Sequence, residues 1–458
     1  MKLKNYIYLL LCLVIMLPLF VFFVGCGNHN NKSNSQNNNY YKLNNDMTLK
    51  EGTSIVFDGE SKNAVLDLNG YCIKSNRSAA IQVTNGAKLT IIDSNKNTTH
   101  YLLYDENTHA YSKYSKTRPS GGVEIQDGHL PINKVNSYIT IHGGLITGTN
   151  GNIYGGAIVV GCLLGYTGQP SFVEMQSGSI AGNISRGYGG GVFVGSNAKF
   201  VLNGGDIIGN YSSSFGGGIS VEGQSSIELN SGKIAYNTAG VSGGAVYLMG
   251  NQYLKLTNLT IANTIQILYN QAKWGGGVAG IIATVSMQGG LIQGNRAIEG
   301  GGFDLYSSCF TMVSGKIIEN SAEKKGGAIL FGATEQEWTY TNENTGYHDE
   351  GRHLLKIDSG IIEKNSAAEA GGIYLLKVFF EATPQMEEYI NKNNISSNGN
   401  SVEMIGIQNI KQNQNIKYSQ NIKQNQNKIL FIVLGVSIGI VLLAIAVALL
   451  IYFIKVKS

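Results

Sequence analysis

The densest group of side chains that could do chemistry in this 458-residue chain consists of His348, Asp349, Glu350 and His353. Imidazole and carboxylate groups are zinc ligands and general acids or bases, so such a group could form a metal or catalytic site. Its spacing is not the H-E-x-x-H pattern of zinc proteases, and the flanking residues predict a loop rather than a helix. We therefore predict no metal site and no catalytic role there.

Carboxylates elsewhere could cleave polysaccharides, which requires two acids, or acids that hold a calcium ion, on one face. The acids of the central region are Glu174, Asp206, Glu222, Glu228, Asp304, Glu319, Asp358 and Glu363. They do not recur at one position of neighbouring repeats, apart from Glu319 and Glu363, which an insertion separates. We interpret them as solvated outward positions and predict no catalytic residue, no cofactor and no metal.

Composition argues against several classes of protein. The chain has 60 Gly and only 5 Pro, with charged residues at 14%, unlike a disordered chain or an average cytosolic enzyme. The net charge of +4 is scattered, so no basic stripe predicts a nucleic-acid partner. The 5 Cys form no C-x-x-C pair, so neither a zinc site nor a redox motif is predicted.

An internal repeat of roughly 25 to 27 residues is the strongest pattern in the sequence. In each copy an Asn is followed five or six residues later by a Gly pair, a small residue and an apolar one. The Asn residues are Asn150, Asn183, Asn210, Asn237, Asn270, Asn295, Asn320 and Asn365. The glycine blocks begin at Gly155, Gly189, Gly216, Gly243, Gly275, Gly300, Gly326 and the imperfect Ala370. Seven copies have Ile three residues before the Asn, at Ile180, Ile207, Ile234, Ile267, Ile292, Ile317 and Ile362.

Each repeat holds about three short runs in which apolar and polar residues alternate, and alternation predicts strands. Three short strands cannot close a core alone, so the repeats are predicted to stack as coils of a parallel β-helix. The Asn side chains would then bond from coil to coil as a ladder, and the Ile side chains would fill the interior. The Gly pairs would supply corners with positive φ and close approach of backbones. We also predict caps at the two ends of the stack, over residues 40–60 and 375–392, the latter with a short covering helix.

The glycine blocks resemble the repeats of chlamydial polymorphic membrane proteins, which carry GGA(I/L/V) and FxxN motifs. The first motif is matched at 155–158 and 326–329, whereas the second occurs here as IxxN. The resemblance covers about residues 64 to 375. It implies a right-handed parallel β-helix of the pectate-lyase-like kind at a cell surface, with adhesion as the usual role. The chlamydial proteins end in an outer-membrane barrel, whereas this chain ends in a single apolar segment.

Segments that flank the repeats predict export and anchoring. Residues 1–26 read as a secretory signal. Because the segment ends in Gly25-Cys26, three alternatives stay open: a cleaved signal, a lipidated Cys26 and an uncleaved anchor. The remaining predicted segments are an Asn-rich disordered leader at 27–46, the β-helix ectodomain at 47–390, an Asn/Gln/Lys-rich stalk at 391–427, a transmembrane helix at 428–454 and a cytoplasmic tail at 455–458.

These observations predict a single-pass membrane protein of the cell surface that acts as an adhesin, with a host-cell, matrix or glycan ligand. A structural coat protein and a polysaccharide lyase or hydrolase remain as alternatives. Ligand contacts are expected on two insertions that interrupt the repeat, because binding residues concentrate on loops carried by rigid scaffolds. Their candidate contact residues are Trp338, Tyr340, Tyr347 and His348 in 333–352, and Tyr101, Tyr104, Tyr111 and Tyr114 in 101–119.

Overall fold

Strands make up almost all of the regular secondary structure, and they form long parallel sheets. The computed structural model describes residues 39–59, 63–125, 136–161, 169–250, 256–333, 353–376 and 378–405. The chain winds through successive coils, and each coil pairs its strands with the equivalent strands of its neighbours. The prediction of an all-β chain built from stacked parallel coils is confirmed at this level.

Each coil offers up to four strand positions. Position one contains β1 (Tyr40–Lys42), β4 (Asn63–Asp67), β7 (Lys88–Ile92), β15 (Ser171–Met175), β19 (Ala198–Leu202), β28 (Ala283–Met287), β32 (Cys309–Met312), β36 (Leu354–Ile357) and β40 (Phe379–Glu381). Position two contains β2 (Met47–Thr48), β5 (Cys72–Lys74), β12 (Leu145–Thr147), β16 (Ser179–Ala181), β20 (Asp206–Ile208), β29 (Leu291–Gln293), β33 (Lys316–Ile318) and β37 (Ile361–Glu363). Two long strands, β23 (Ser226–Ala235) and β26 (Thr257–Leu268), run through both positions and join them into one sheet.

The other two positions complete the circuit. Position three contains β13 (Asn150–Tyr154), β17 (Ile184–Tyr188), β21 (Tyr211–Ser212), β24 (Thr238–Ala239), β30 (Arg296–Glu299), β34 (Ser321–Lys325), β38 (Ser366–Ala367) and β41 (Ile395–Ser396). Position four contains β3 (Ile55–Asp58), β6 (Ile81–Thr84), β14 (Ile158–Val160), β18 (Val192–Val194), β22 (Ile219–Glu222), β25 (Val246–Met249), β27 (Val278–Ile281), β31 (Phe303–Tyr306), β35 (Ile329–Gly332), β39 (Ile373–Leu376) and β42 (Val402–Ile405). These 11 strands form one sheet, so the described chain makes eleven coils.

The core lies inside the coils because alternate side chains of every strand point inward. In β28, Val285 and Met287 are buried, whereas Thr284 and Ser286 are half-buried on the outer side. The Ile residues of the repeat form one continuous inner row of fully buried side chains: Ile180, Ile207, Ile234, Ile267, Ile292, Ile317 and Ile362. Burial of one such side chain contributes roughly 1.5 to 3 kcal/mol, so this row is a main source of stability.

The two glycines of each block are required for different reasons. Gly216, the first of its block, has φ of 64°, a left-handed conformation that strains any residue with a Cβ. An added Cβ at Gly217, the second, would lie 2.5 Å from the carbonyl oxygen of Gly244 in the next coil. In the imperfect block, Ala370 occupies the first position with φ of 51°. The sequence motif therefore reports one backbone conformation and one close approach per coil.

A helix closes the last coil, in agreement with the cap predicted over 375–392, whereas the predicted cap over 40–60 is wrong, because β1, β2 and β3 pair there as a regular coil. Helix α1 (Pro384–Asn393) follows β40 and stands where earlier coils have their position-two strand. Thr383 is its N-cap, and the hydroxyl accepts from the backbone N–H of Met386 at 3.2 Å. Ile390 is fully buried and enters the core beneath the last coils.

The predicted segment boundaries need correction at both ends. Strand β1 begins at Tyr40, inside the predicted leader 27–46, and β42 ends at Ile405, inside the predicted stalk 391–427. Both strands pair with the regular coils, so pairing overrides the polar composition around them. Segments 1–26, 428–454 and 455–458 lie outside the described residues. Within the described ranges, no helix has the length and apolar character needed to cross a membrane.

Candidate functional site

Seven of the eight predicted Asn residues form a continuous hydrogen-bonded row, which we name the asparagine ladder: Asn183, Asn210, Asn237, Asn270, Asn295, Asn320 and Asn365, followed by Asn394. Asn210 shows the pattern. Its backbone N–H and its Nδ2 each donate to Asn237 Oδ1 at 2.9 Å, and Nδ2 also donates to the carbonyl of Ile180 at 3.0 Å. Each buried amide is thus bonded to the coils on both sides, which makes the ladder a structural element.

The ladder differs from the prediction at its two ends. Asn150 is exposed and lies outside the ladder. The neighbouring Thr149 is buried instead, and its hydroxyl donates to Asn183 Oδ1 at 3.0 Å. At the other end, Asn394 was not predicted, although its Oδ1 accepts from the backbone N–H and the Nδ2 of Asn365. Asn150 lies outside the ladder because Ile146 sets the register of this coil, and the residue three positions after Ile146 is Thr149.

The predicted binding loop 101–119 is a sheet rather than a loop. Between β7 and β12 the chain forms β8 (Thr99–Asp105), β9 (Ala110–Ser115), β10 (Val123–Glu124) and β11 (Ser137–His142). Strand β8 lies between β9 and β11 and is antiparallel to both, while β10 pairs with β11 in parallel. We name this four-stranded unit the side sheet, because it packs on the outer side of the position-two strands.

The inner face of the side sheet carries three of the four predicted tyrosines. Tyr111 is buried, its hydroxyl bonds to that of Ser137 at 2.9 Å, and its ring meets Tyr236 of the coils edge-on. Tyr104 packs edge-on against Tyr111 with ring centroids 5.4 Å apart, and Tyr114 is half-buried beside the same cluster. The prediction that Tyr111 is an exposed contact residue is wrong, because this ring holds the side sheet on the coils.

The outer face of the side sheet is the part that can meet a ligand. It contains Tyr101 and Leu103, both half-buried, with the exposed Lys113 directly opposite Leu103 on β9. The Tyr101 ring meets the buried Tyr138 ring edge-on at 5.7 Å, and Arg118 Nε donates to the Tyr138 hydroxyl at 2.6 Å. This face therefore combines a fixed aromatic ring, an aliphatic side chain and two cations. Tyr101 is the predicted contact residue that it retains.

The second predicted loop falls largely outside the described residues. Trp338, Tyr340, Tyr347 and His348 belong to residues 334–352, as do Asp349 and Glu350. The described residues on either side are Ala333 at the end of β35 and His353 before β36, and both are buried. The insertion therefore joins two buried positions of adjacent coils.

The outward side chains of the position-four sheet differ from the expected solvated surface. Asp304 on β31 is only 4% exposed and lies between Ala279 and Leu330, and its Oδ1 has no described hydrogen-bond partner. Burial, with a smaller contribution from the charge of Glu299, raises the pKa of the Asp304 carboxyl well above its usual range. Loss of water likewise raises the pKa of Glu222 on β22 to about 7. Sequence patterning missed both, because it does not reveal what covers an outward position.

The described acids do not converge on a catalytic arrangement. Glu222 and Asp304 lie three strands apart in their sheet, which corresponds to about 14 Å at the usual strand spacing. Glu363 pairs with Ile318 rather than with Glu319, so the one predicted equivalence between acids is wrong. Within the described ranges, no group of three His, Cys, Asp or Glu residues is placed to hold a metal ion.

Comparison with known proteins adds no identification, because no family model, no curated protein and no solved structure matches this chain. The side sheet therefore stands as the candidate binding surface on its geometry alone, and the contact residues predicted within 334–352 stay a prediction from the sequence.

Proposed function

We propose that this protein is a cell-surface adhesin, in which a right-handed parallel β-helix holds a binding surface above the membrane. The handedness is supported by the strong preference of parallel β-crossovers for the right-handed sense. Export by residues 1–26 and anchoring by the apolar residues 428–454 are supported by their sequence. The ligand belongs to the class of host-cell glycans or matrix proteins.

The side sheet is the observation that carries this proposal. The inner core of the coils closes without this four-stranded unit, and the side sheet adds a second, outer apolar cluster by packing on Leu145, Ile208 and Leu268 of the coils. Tyr111 fixes the side sheet to Tyr236, and this leaves Tyr101, Leu103 and Lys113 on the opposite face. An aromatic ring held in place by its neighbours offers contact area at a low entropic cost, which is the usual property of binding hot spots.

The separation of the two perturbed acids favours binding over hydrolysis. Paired catalytic carboxylates in glycosidases lie about 5 to 10 Å apart, whereas Glu222 and Asp304 are separated by about 14 Å. Asp304 is also enclosed, so a substrate cannot reach its carboxyl without a rearrangement. An adhesive role requires neither a close pair of carboxylates nor an acid that a substrate can reach.

The test is binding and cleavage scored together on arrays of glycans and matrix proteins, with the full chain in proteoliposomes. The variant combines Tyr101→Ser with Lys113→Ser, and the matched control is Tyr211→Ser, which removes a half-buried tyrosine from the coils themselves. We expect the double variant to lose at least tenfold in affinity for the captured ligand while the control keeps it. Release of cleaved sugar, or equal binding by variant and parent, would overturn the proposal.

A second variant examines the loop outside the described residues. Replacing Trp338 and Tyr340 by Ser should weaken attachment further if both insertions contribute to one surface. Attachment that is unaffected by this change, but lost with Tyr101→Ser, would restrict the adhesive surface to the side sheet.

A further inference from the structure

The side sheet is an insertion whose two ends meet at one junction with the coils. The chain leaves the coils at Asp93, directly after β7, and returns at Gly144, directly before β12. The buried Asp93 carboxylate joins these points, because its Oδ2 accepts from the N–H of Gly144 at 2.8 Å and its Oδ1 from the N–H of Gly70 at 2.6 Å. Beyond the junction, the side sheet forms no strand pair with the coils in the part of the chain that the structure describes. Its docking therefore depends on side chains.

One histidine is buried in the seam between the side sheet and the coils. His100 lies on the inner face of β8, directly opposite the buried Ile141 of β11, and is only 3% exposed. Its Nδ1 bonds to the Tyr114 hydroxyl at 3.3 Å, whereas its Nε2 makes no hydrogen bond to any described group. A protonated imidazole donates from both nitrogens, so it would lack an acceptor at Nε2. The seam is thus built for the neutral form.

Two hydroxyl groups of the same seam are also left without a described partner. They are Thr98 Oγ1, just before β8, and Thr147 Oγ1, which lies beside Leu102 on the outer side of β12. Each buried polar atom that lacks a hydrogen bond costs about 1 to 3 kcal/mol, and this cost is set against the apolar contacts that hold the side sheet. A single added charge at this seam can therefore reverse the docking.

The nearest titratable side chains offer His100 no counter-charge. The Tyr114 hydroxyl of β9 lies near both His100 and the thiol of Cys72 on β5. Burial raises the pKa of the Cys72 thiol to about 12, and burial likewise raises the pKa of Tyr114. Both groups are therefore uncharged at neutral and acidic pH, and neither can stabilise an imidazolium.

The nearest carboxylates are already engaged. Asp46, just before β2, pairs with Lys116 of the side sheet at 2.5 Å, and the Asp93 carboxylate is occupied by backbone N–H groups. Burial outweighs the attraction of the Gly70 carbonyl and of these two acids, and the charge of Lys116 acts in the same sense as burial. The pKa of His100 is consequently lowered from its usual value of 6.5.

We propose that the side sheet is a pH-sensitive unit, docked on the coils near neutral pH and released in mild acid when His100 takes up a proton. The junction at Asp93 and Gly144 is the hinge, and release uncovers the outer apolar side chains of the coils, among them Leu145 and Ile208. Because the docked state favours the neutral imidazole, this contribution to docking is fully present above pH 6.5 and is lost as the pH falls through the lowered pKa. The inference concerns docking and does not depend on an adhesive role.

The thiol of Cys72 can report the release, because it is free and only 3% exposed in the docked state. The full chain in proteoliposomes is treated with 4,4′-dithiodipyridine, which reacts with thiols in mild acid, and peptide mass spectrometry follows Cys72 and the half-buried Cys309 of β32. The rate at Cys309 corrects for the effect of pH on the reagent. One proton shifts an equilibrium by up to tenfold per pH unit, so the Cys72-to-Cys309 ratio should rise at least fivefold from about pH 7.5 to about pH 5.

Two variants remove the titrating group. His100→Leu keeps an apolar side chain in the seam and His100→Gln keeps a neutral polar one, and in both the ratio should change by less than twofold over the same range. Circular dichroism establishes that each variant is folded. His142→Gln is the matched control, because His142 follows Ile141 on β11 and is exposed, so it should behave as the parent.

Three results would overturn the proposal. The first is a parent chain whose ratio does not change with pH, which needs no variant to interpret. The second is a rise that persists in His100→Leu and His100→Gln, and the third is a rise that His142→Gln abolishes.

Discussion

Replacing Asn237 by Ala should weaken the asparagine ladder mainly on the side of the preceding coil. The Asn237 Oδ1 atom accepts from the backbone N–H and the Nδ2 of Asn210, both at 2.9 Å. In the variant, that N–H loses its acceptor in a buried site, while Asn210 Nδ2 keeps its bond to Ile180. In the following coil, Asn270 Oδ1 loses the Nδ2 donor of Asn237 but keeps the backbone N–H of residue 237, and the N–H of Asn270 still donates onward to Asn295. The damage is therefore expected in the preceding coil.

The magnitude follows from the number of orphaned groups. A buried donor left without a partner costs about 1 to 3 kcal/mol, and this cost lowers the free energy of local opening around Asn210. Since about 1.4 kcal/mol corresponds to a factor of ten, amide hydrogen exchange at Asn210 should accelerate by roughly 5- to 150-fold. Exchange at Asn270 should change by less than threefold. Local exchange is preferable to a melting temperature, because stacked repeats need not unfold in a single step.

The assay is hydrogen exchange with mass spectrometry on peptides that separate Asn210 from Asn270. Asn150→Ala serves as the matched control, since this exposed residue lies outside the ladder and its loss should leave exchange unchanged. Equal acceleration at Asn210 and Asn270, or none at either, would refute the directional bonding on which the reasoning depends.

Three further changes test other parts of the structure. Gly217→Ala should destabilise the protein by more than about 2 kcal/mol, because the added Cβ would lie 2.5 Å from a carbonyl oxygen. Ala370→Gly should stabilise it by about 1 kcal/mol, because Gly adopts the left-handed conformation at this position without strain. Denaturant unfolding measures both changes, and a destabilising Ala370→Gly would contradict this explanation. Because burial raises the pKa of Glu222 in the folded protein to about 7, the free energy of unfolding should be highest below pH 4.5 and should fall by about 2 to 3 kcal/mol as the pH rises toward 7. Glu222→Gln should abolish this pH dependence in a series of unfolding curves, and an unchanged dependence would assign it to other groups. Tyr111→Ser should lower the free energy of unfolding by about 3 to 5 kcal/mol and make the side sheet sensitive to limited proteolysis, whereas Tyr101→Ser should lower it by less than about 1 kcal/mol. Equal digestion of the two variants would show that Tyr111 does not hold the side sheet on the coils.

The repeat spacing was sufficient to predict the interior of the coils. Ile three residues before Asn fixes the register, so the sequence alone places Ile207 and Asn210 inside the coils. The same spacing, applied to Ile146, predicts Thr149 rather than Asn150 as the residue that precedes Asn183 in the ladder. Asn394 follows a helix instead of a strand, and no spacing rule connects it to the earlier rungs.

The outer surface could not be predicted in the same way. Residues 99–105 (THYLLYD) and 110–115 (AYSKYS) are rich in tyrosine and lie on either side of a turn, so the strands of the side sheet are present as a weak local signal. What the pattern lacks is the partner, because Tyr111 is buried only where the fold brings it to Tyr236. The same holds for Asp304, whose burial depends on neighbours from other coils.

The bonds from one side-chain amide to the next in the asparagine ladder all run in the same direction along the chain, which has a consequence for how the chain acquires its structure. Each coil donates to an acceptor in the coil that follows it in sequence, from Asn183 through to Asn394. A chain that emerges from its N-terminus therefore always has an unfinished coil at its growing end, which becomes complete only when the next coil is laid down. Asn394 ends this dependence, because its Nδ2 donates back to the carbonyl of Ile390 in α1. The stack is thus completed only when α1 and Asn394 are in place. A chain that ends before α1 leaves the last Asn of its ladder without an Asn Oδ1 acceptor, however many repeats it contains.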